Sequence, residues 1–160
     1  MNRAPVIRAA IAAIAVIGAS AWPAYPHCQM PCGIYDDDAR LAEIHEDIAT
    51  VEKAMRQVVE LGAAEKPNYN QLVRWVNTKE HHADHISEVV TQYFMTQRIQ
   101  PVDPADQKAY ADYAKKLTVL HRMLVAAMKA KQTTDLQYTR ELDMLLHEFT
   151  QAYGSKTQKT

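Results

Sequence analysis

The chain has 160 residues, 18 basic and 19 acidic side chains and a formal net charge of −1, which leaves room for one domain around one modest core. Lysines and acids are interspersed without a concentrated basic face, so a nucleic-acid surface is excluded.

Residues 1–26 stand apart in composition. Arg3 and Arg8 supply positive charge, Val6 to Ala21 is an almost unbroken apolar run, and no acid precedes Asp36. That is the layout of an export signal, with Ala19-Ser20-Ala21 as a small-residue cleavage site. The run is short for a membrane span and rich in alanine, so the leader is expected to be removed rather than kept as an anchor. Residues 27–160 then form the mature domain, periplasmic or extracellular, with no stable membrane anchor after processing.

The segment YPHCQMPCGIYDDD, residues 25–38, holds the only two cysteines, Cys28 and Cys32, with His27 beside the first. In an exported protein such a pair reads first as a disulfide. Closing so small a loop restrains little of the unfolded chain, so the staple would be weak.

From Asp36 onward the chain reads as helical. Asp36, Asp37 and Asp38 place negative charge at a helix start, where the macrodipole favours it. Leu41, Ile44, Ile48, Val51, Met55 and Val58 step by threes and fours to a stop at Gly62. A second stripe runs Leu72, Val76, Ala83, Ile86, Val90 and Tyr93, with Lys79 in the seam, and ends at Pro101. Asp103-Pro104 reads as a cap with proline in the first turn, opening a third stripe of Tyr110, Tyr113, Leu117, Leu120, Leu124 and Ala127. Thr133-Thr134-Asp135 caps a fourth helix carrying Leu142, Leu145, Phe149 and Tyr153, closed by Gly154. Four amphipathic helices with short connections predict an all-α fold, an antiparallel four-helix bundle preceded by an N-terminal hook at residues 27–35.

Histidines offer a second place for a metal. His81 and His85 are one turn apart and could grip zinc, or they line an exposed polar face. No carboxylate-histidine motif recurs on another helix, as a di-metal bundle site needs. His45, His121 and His147 stand alone.

The hook gains a ligand if the chain is cut between Pro26 and His27. The free amine of His27, the backbone nitrogen of Cys28 and the Cys28 thiolate then form fused chelate rings. Cys32 returns through the Pro31 turn to complete a square of two nitrogens and two sulfurs, and the His27 imidazole can cap it axially. Square N,S coordination suits nickel(II), whereas structural zinc prefers a tetrahedron. Anionic amide and thiolate donors favour a higher oxidation state, which makes this a redox design.

HCQMPCGIY resembles the hook of the nickel-containing superoxide dismutase family, His-Cys-x-x-Pro-Cys-Gly-x-Tyr at a processed N-terminus. His27, Cys28, Pro31, Cys32, Gly33 and Tyr35 all match. The resemblance implies one nickel ion per subunit, held by His27, Cys28 and Cys32. It implies that Tyr35 guards the vacant face, that Glu43 supports the axial imidazole, and that Tyr93 is a second site tyrosine. It further implies a homohexamer and a maturation peptidase. Two positions depart from the family. Gln29 replaces an aspartate common after the first cysteine, and no arginine aligns on the second helix, where Lys79 is the available substitute.

The expected activity is disproportionation of superoxide to dioxygen and hydrogen peroxide through a Ni(II)/Ni(III) cycle, with protons from water held by Tyr35 and Tyr93 or from a protonated hook thiolate. The alternatives are an exported nickel- or copper-binding bundle without turnover, and a structural bundle with a Cys28–Cys32 disulfide.

Overall fold

The computed structural model describes residues 33–154; the leader and the hook positions His27, Cys28 and Cys32 lie outside the described residues. The elements are α1 (Asp37–Gly62), α2 (Tyr69–Glu88), which runs on as a π-helix (Val89–Arg98), α3 (Gln107–Gln132) and α4 (Gln137–Tyr153). Among the described residues there is no strand, and no helix is long and apolar enough to cross a membrane. α1 packs on α2 and α4, and α3 packs on the same two. The start of α1 meets the end of the π-helix and the end of α4 through Asp37, Arg98 and Tyr153, so the neighbours run antiparallel. This is the expected four-helix bundle.

The capping chemistry follows the sequence closely. Asp36 accepts from the Ala39 N–H at 3.0 Å, and Asn68 accepts from Gln71 at 3.2 Å. Asp135 Oδ1 accepts from the Gln137 N–H at 2.9 Å, which serves the first turn of α4. Gly154 closes α4 at φ 67, a left-handed conformation that costs glycine nothing.

The third helix differs from expectation. Asp103 accepts from Ala105 through its side chain at 2.9 Å and from Asp106 through its carbonyl at 3.0 Å, so Asp103-Pro104 closes a turn instead of a helix cap. Asp106 then caps α3 by accepting from Ala109 at 3.0 Å. The buried face is also rotated: Val119, Met123, Ala126 and Ala130 join Leu120 and Ala127, while Tyr110 is exposed. The small alanines let α3 sit close against its neighbours.

The core is the row of Ile44, Val51 and Met55 from α1, Ile86 from α2, Leu120 and Met123 from α3, and Leu142, Leu145 and Phe149 from α4, all essentially without solvent contact. Each such side chain contributes about 1.5–3 kcal/mol by leaving water. At the hook end the core becomes aromatic. Phe94 meets Tyr93 and Phe149 edge-on at 5.0 Å and Tyr153 at 5.6 Å. This packing gives the start of α1 a firm floor.

The π-helix is a finding that periodicity did not give. The Ile99 N–H donates to the Phe94 carbonyl five residues back at 2.9 Å. Thr96 and Gln97 side chains donate to the carbonyls of Thr91 and Gln92, both at 2.7 Å. In an α-helix, residues five apart point about 140° away from each other. The wider π-helical turn brings them onto one side, and Tyr93 and Arg98 are five apart.

Candidate metal centre at the start of the first helix

Asp37, Arg40, Glu43 and Asp47 step by threes and fours along one edge of α1, and each meets a partner from the end of α2 or its π-helical extension. Asp37 is the node nearest the hook. Its Oδ1 accepts from the Tyr93 hydroxyl at 2.7 Å and from Arg98 Nε at 2.8 Å. Its Oδ2 accepts from Arg98 Nη2 at 2.8 Å and from the Tyr153 hydroxyl at 3.0 Å. Four donors fill the lone-pair capacity of one carboxylate.

The electrostatics match that geometry. Burial works against ionising Asp37, but hydrogen bonds from Arg98, Tyr93 and Tyr153, with the Arg98 charge, hold its carboxyl below its ordinary value. Burial and then the hydrogen bond to Asp37 push the Tyr93 phenol well above its ordinary value. The same two causes raise Tyr153. Arg98 is held charged chiefly by its hydrogen bonds to Asp37.

Tyr35 stands over this node. Its ring meets Tyr93 edge-on at 5.9 Å, and the Arg98 guanidinium lies 4.4 Å from its centroid, a cation–π contact. The structure therefore brings the two expected tyrosines together. Tyr35 is half-exposed and Tyr93 is buried. Tyr93 donates its proton to Asp37, so its hydroxyl is committed to the root of the hook. Just before Tyr35, Gly33 has φ 78, a left-handed turn that suits glycine.

Glu43, expected beside the axial imidazole, accepts from Arg40 Nη1 at 2.6 Å, and its Oε1 lies 3.4 Å from His85 Nε2. Arg40 also sits 5.5 Å over the Tyr93 ring, which links Glu43 to the tyrosine pair. One turn further on, buried Asp47 is bonded by His82 Nδ1 at 2.6 Å and by His85 Nδ1 at 2.8 Å.

This revises the histidine reading. His81 is exposed and touches only the edge of the His82 ring among the contacts of its own ring, at 5.5 Å, whereas His85 turns inward to α1. The two do not converge on a zinc position. His45 and His147, expected to stand alone, line one open cleft with Asp143, and His45 Nε2 lies 3.9 Å from Asp143 Oδ1. Among the described residues, no three histidine, cysteine, aspartate or glutamate side chains are grouped to hold a metal ion.

Lys79 is likewise placed differently from a substitute at the imidazole. Its buried ammonium donates to the carbonyl of Ala130 at 3.0 Å and to that of Lys131, and pairs with Glu80 at 3.0 Å. It caps the C-terminus of α3, where the helix dipole favours a cation.

Asp37, Arg98, Tyr153, Arg40 and Asp47 were not among the expected site residues, and His85 was considered only as a zinc ligand with His81. Part of the signal was there. Asp37 lies one turn before Leu41, and Asp47 lies between Ile44 and Val51, both on the apolar stripe of α1. An acid on that stripe must find a partner when buried.

An antiparallel helical bundle whose first helix is latched by a saturated carboxylate, with a histidine and two cysteines shortly before it in the sequence, defines a class of helical proteins. The family model described as nickel-containing superoxide dismutase matches residues 19–157, and the chain belongs to that family. It is accordingly a nickel-dependent oxidoreductase whose substrate is superoxide, and membership does not favour a binding bundle without turnover. No curated protein and no solved structure matched the chain.

Proposed function

We propose that the activity resides in the hook, with nickel held by the amine and imidazole of His27, the amide nitrogen and thiolate of Cys28, and the thiolate of Cys32. The observation that carries this reading is the wedging of Tyr35 between Tyr93 and Arg98. Cys32 is three residues away, a span of at most about 11 Å, so a hook closed on itself gathers its donors beside this corner. Two thiolates and two nitrogens are a donor set that fits nickel. Nickel held there supplies a one-electron couple able both to oxidise and to reduce superoxide.

The surrounding residues have separable tasks. Tyr35, half-exposed, faces the approach to the hook and can order water or an incoming anion through its hydroxyl. Tyr93, its hydroxyl spent on Asp37, acts by fixing the hook's root and excluding water beneath it. Glu43 retains acceptor capacity on Oε1 and is the candidate partner for the His27 ring N–H, as carboxylates commonly are for metal-bound imidazoles. Superoxide is an anion, so the guanidiniums of Arg40 and Arg98 on either side of the tyrosines add local positive potential.

The site forms only after residues 1–26 are removed by a maturation peptidase, and export through that leader supports a periplasmic or extracellular location. Ile34 is 81% exposed, and with half-exposed Tyr35 it leaves apolar surface at the corner. Neighbouring subunits of a homohexamer would cover it.

Replacing both hook cysteines tests the assignment. A Cys28→Ser, Cys32→Ser protein is expected to keep its helical circular dichroism and lose nickel and superoxide consumption. Normal turnover by that variant would remove the hook as the active site. Tyr35→Phe is expected to keep nickel and slow turnover more mildly.

A further inference from the structure

Tyr35 is carried by residues 33–36, which form neither helix nor strand, so its ring is fixed by what stands beside it. Its two ring neighbours come from the π-helix, and they constrain it differently. Tyr93 meets the ring edge-on at 5.9 Å, a contact that tolerates sliding. Arg98 lies closer, 4.4 Å from the centroid, and its own plane is set. Nε and Nη2 donate in parallel to the two oxygens of Asp37, each at 2.8 Å, and such a fork fixes orientation as well as distance. The backbone behind Arg98 is equally firm. Ile99, the next residue, is buried and donates its N–H to the carbonyl of buried Phe94 at 2.9 Å. The Arg98 and Asp37 side chains are 23% and 21% exposed, so water competes weakly for the fork. Arg98 is therefore the rigid partner and Tyr35 the adjustable one. π-Helical turns recur at functional sites, and this one supplies the corner with a clamped cation.

We propose that Arg98 is a positioning residue for Tyr35: its guanidinium, locked on Asp37, holds the phenol ring against Tyr93 and so sets where the Tyr35 hydroxyl points. The inference rests on the role given to that hydroxyl above, ordering water or an incoming anion. A cation over the ring face attracts the ring through its quadrupole, while Asp37 keeps the cation from following the ring. Arg40 lies over the other tyrosine, 5.5 Å from the Tyr93 centroid, and is bonded to Glu43, so Arg98 is the cation that acts on Tyr35. A positive charge in this corner attracts superoxide wherever Tyr35 points, whereas the clamp works only through Tyr35. The two roles of Arg98 are thus separable.

The first test needs no metal. In the processed chain, nuclear Overhauser contacts between the Tyr35 and Tyr93 rings report where the Tyr35 ring sits. Arg98→Gln, which can still bond Asp37 but carries neither charge nor fork, is expected to weaken them by about twofold or more. Tyr153→Phe removes one bond from Asp37 and leaves the fork in place, so it is expected to leave them unchanged. Unchanged contacts in Arg98→Gln overturn the proposal. Equal weakening in Tyr153→Phe also overturns it, because a general loosening of the latch would then account for the loss. The second test is a double-mutant cycle on superoxide turnover per bound nickel, in about 1 M salt, where a screening length of about 3 Å removes steering. Arg98→Gln is expected to slow the parent by about twofold or more and to add nothing to Tyr35→Phe, which keeps the ring but has no hydroxyl to aim. Additive losses overturn the proposal, because Arg98 then acts on superoxide by a route other than Tyr35. If Tyr35→Phe turns over like the parent, the role of Tyr35 fails and the proposal falls with it, a result the ring contacts alone would not give. Should Arg98→Gln fail to fold, Arg98→Lys, a cation without a planar fork, is read in the same way at both steps.

Discussion

Asp37 accepts four hydrogen bonds from three side chains, so it is the residue whose loss should be felt most widely. Asp37→Asn leaves Arg98 without its anion and sends an N–H toward donors. It is expected to cost about 1.5–3 kcal/mol, the scale of hydrogen bonds to charged groups, measured as a shift in the denaturant midpoint. Tyr93→Phe removes one of the four and is expected to cost about 1 kcal/mol. The pH dependence follows from the shifts. Asp37 is lowered on folding, so its contribution is fully present above the unfolded aspartate value of about 3.9 and is lost as pH falls through the folded value. Tyr93 and Tyr153 are raised, so theirs is fully present below about pH 10 and is lost as pH rises through the folded values. Unfolding midpoints across pH should therefore fall on both sides, and Asp37→Asn should flatten the acid side. At Gly33, with φ 78 and no atom within 4 Å of an added Cβ, the obstacle to alanine is backbone strain alone. Gly33→Ala is expected to cost the hook root about 1–2 kcal/mol, read as a roughly tenfold loss of nickel affinity.

Among the elements, α1, α2 and α4 were legible because their apolar residues keep an unbroken step and their caps are explicit. The candidate site was readable only as a contiguous run, from His27 to Tyr35, of which residues 27–32 lie outside the described residues. Its supporting shell was not, because Asp37 meets Arg98 across 61 residues of sequence, and a stripe of apolar residues does not say which polar intruders find one another. The π-helix was the least legible element. Val89–Arg98 contains no proline or glycine, and its apolar residues fit an α-helical step as far as Tyr93. Only the convergence of Tyr93 and Arg98 on one carboxylate reveals the wider turn. Lys79 shows the opposite case, a charge seen in the seam and explained only by the end of α3. Lys79→Met is expected to strand two carbonyls and cost about 1–3 kcal/mol in thermal unfolding. Nickel affinity and the paramagnetic signal of the folded protein should stay unchanged. A changed nickel signal would place Lys79 at the imidazole after all.

For the whole molecule, the bundle supplies the floor, and in the function proposed above the processed end supplies the chemistry. Residues 33–36 carry the hook into α1, and the latch at Asp37 ties that junction to the ends of α2 and α4. With the ligand set proposed above, the family's nickel cofactor would depend on a single cleavage before His27, which turns the backbone nitrogen of His27 from an amide into a free amine. Nickel content per chain and superoxide consumption, compared between a chain beginning at His27 and the same chain beginning at Pro26, test this most directly. The account predicts about one nickel per chain with turnover for the first and loss of both for the second. Equal nickel binding and equal turnover in the chain that still carries Pro26 would contradict it.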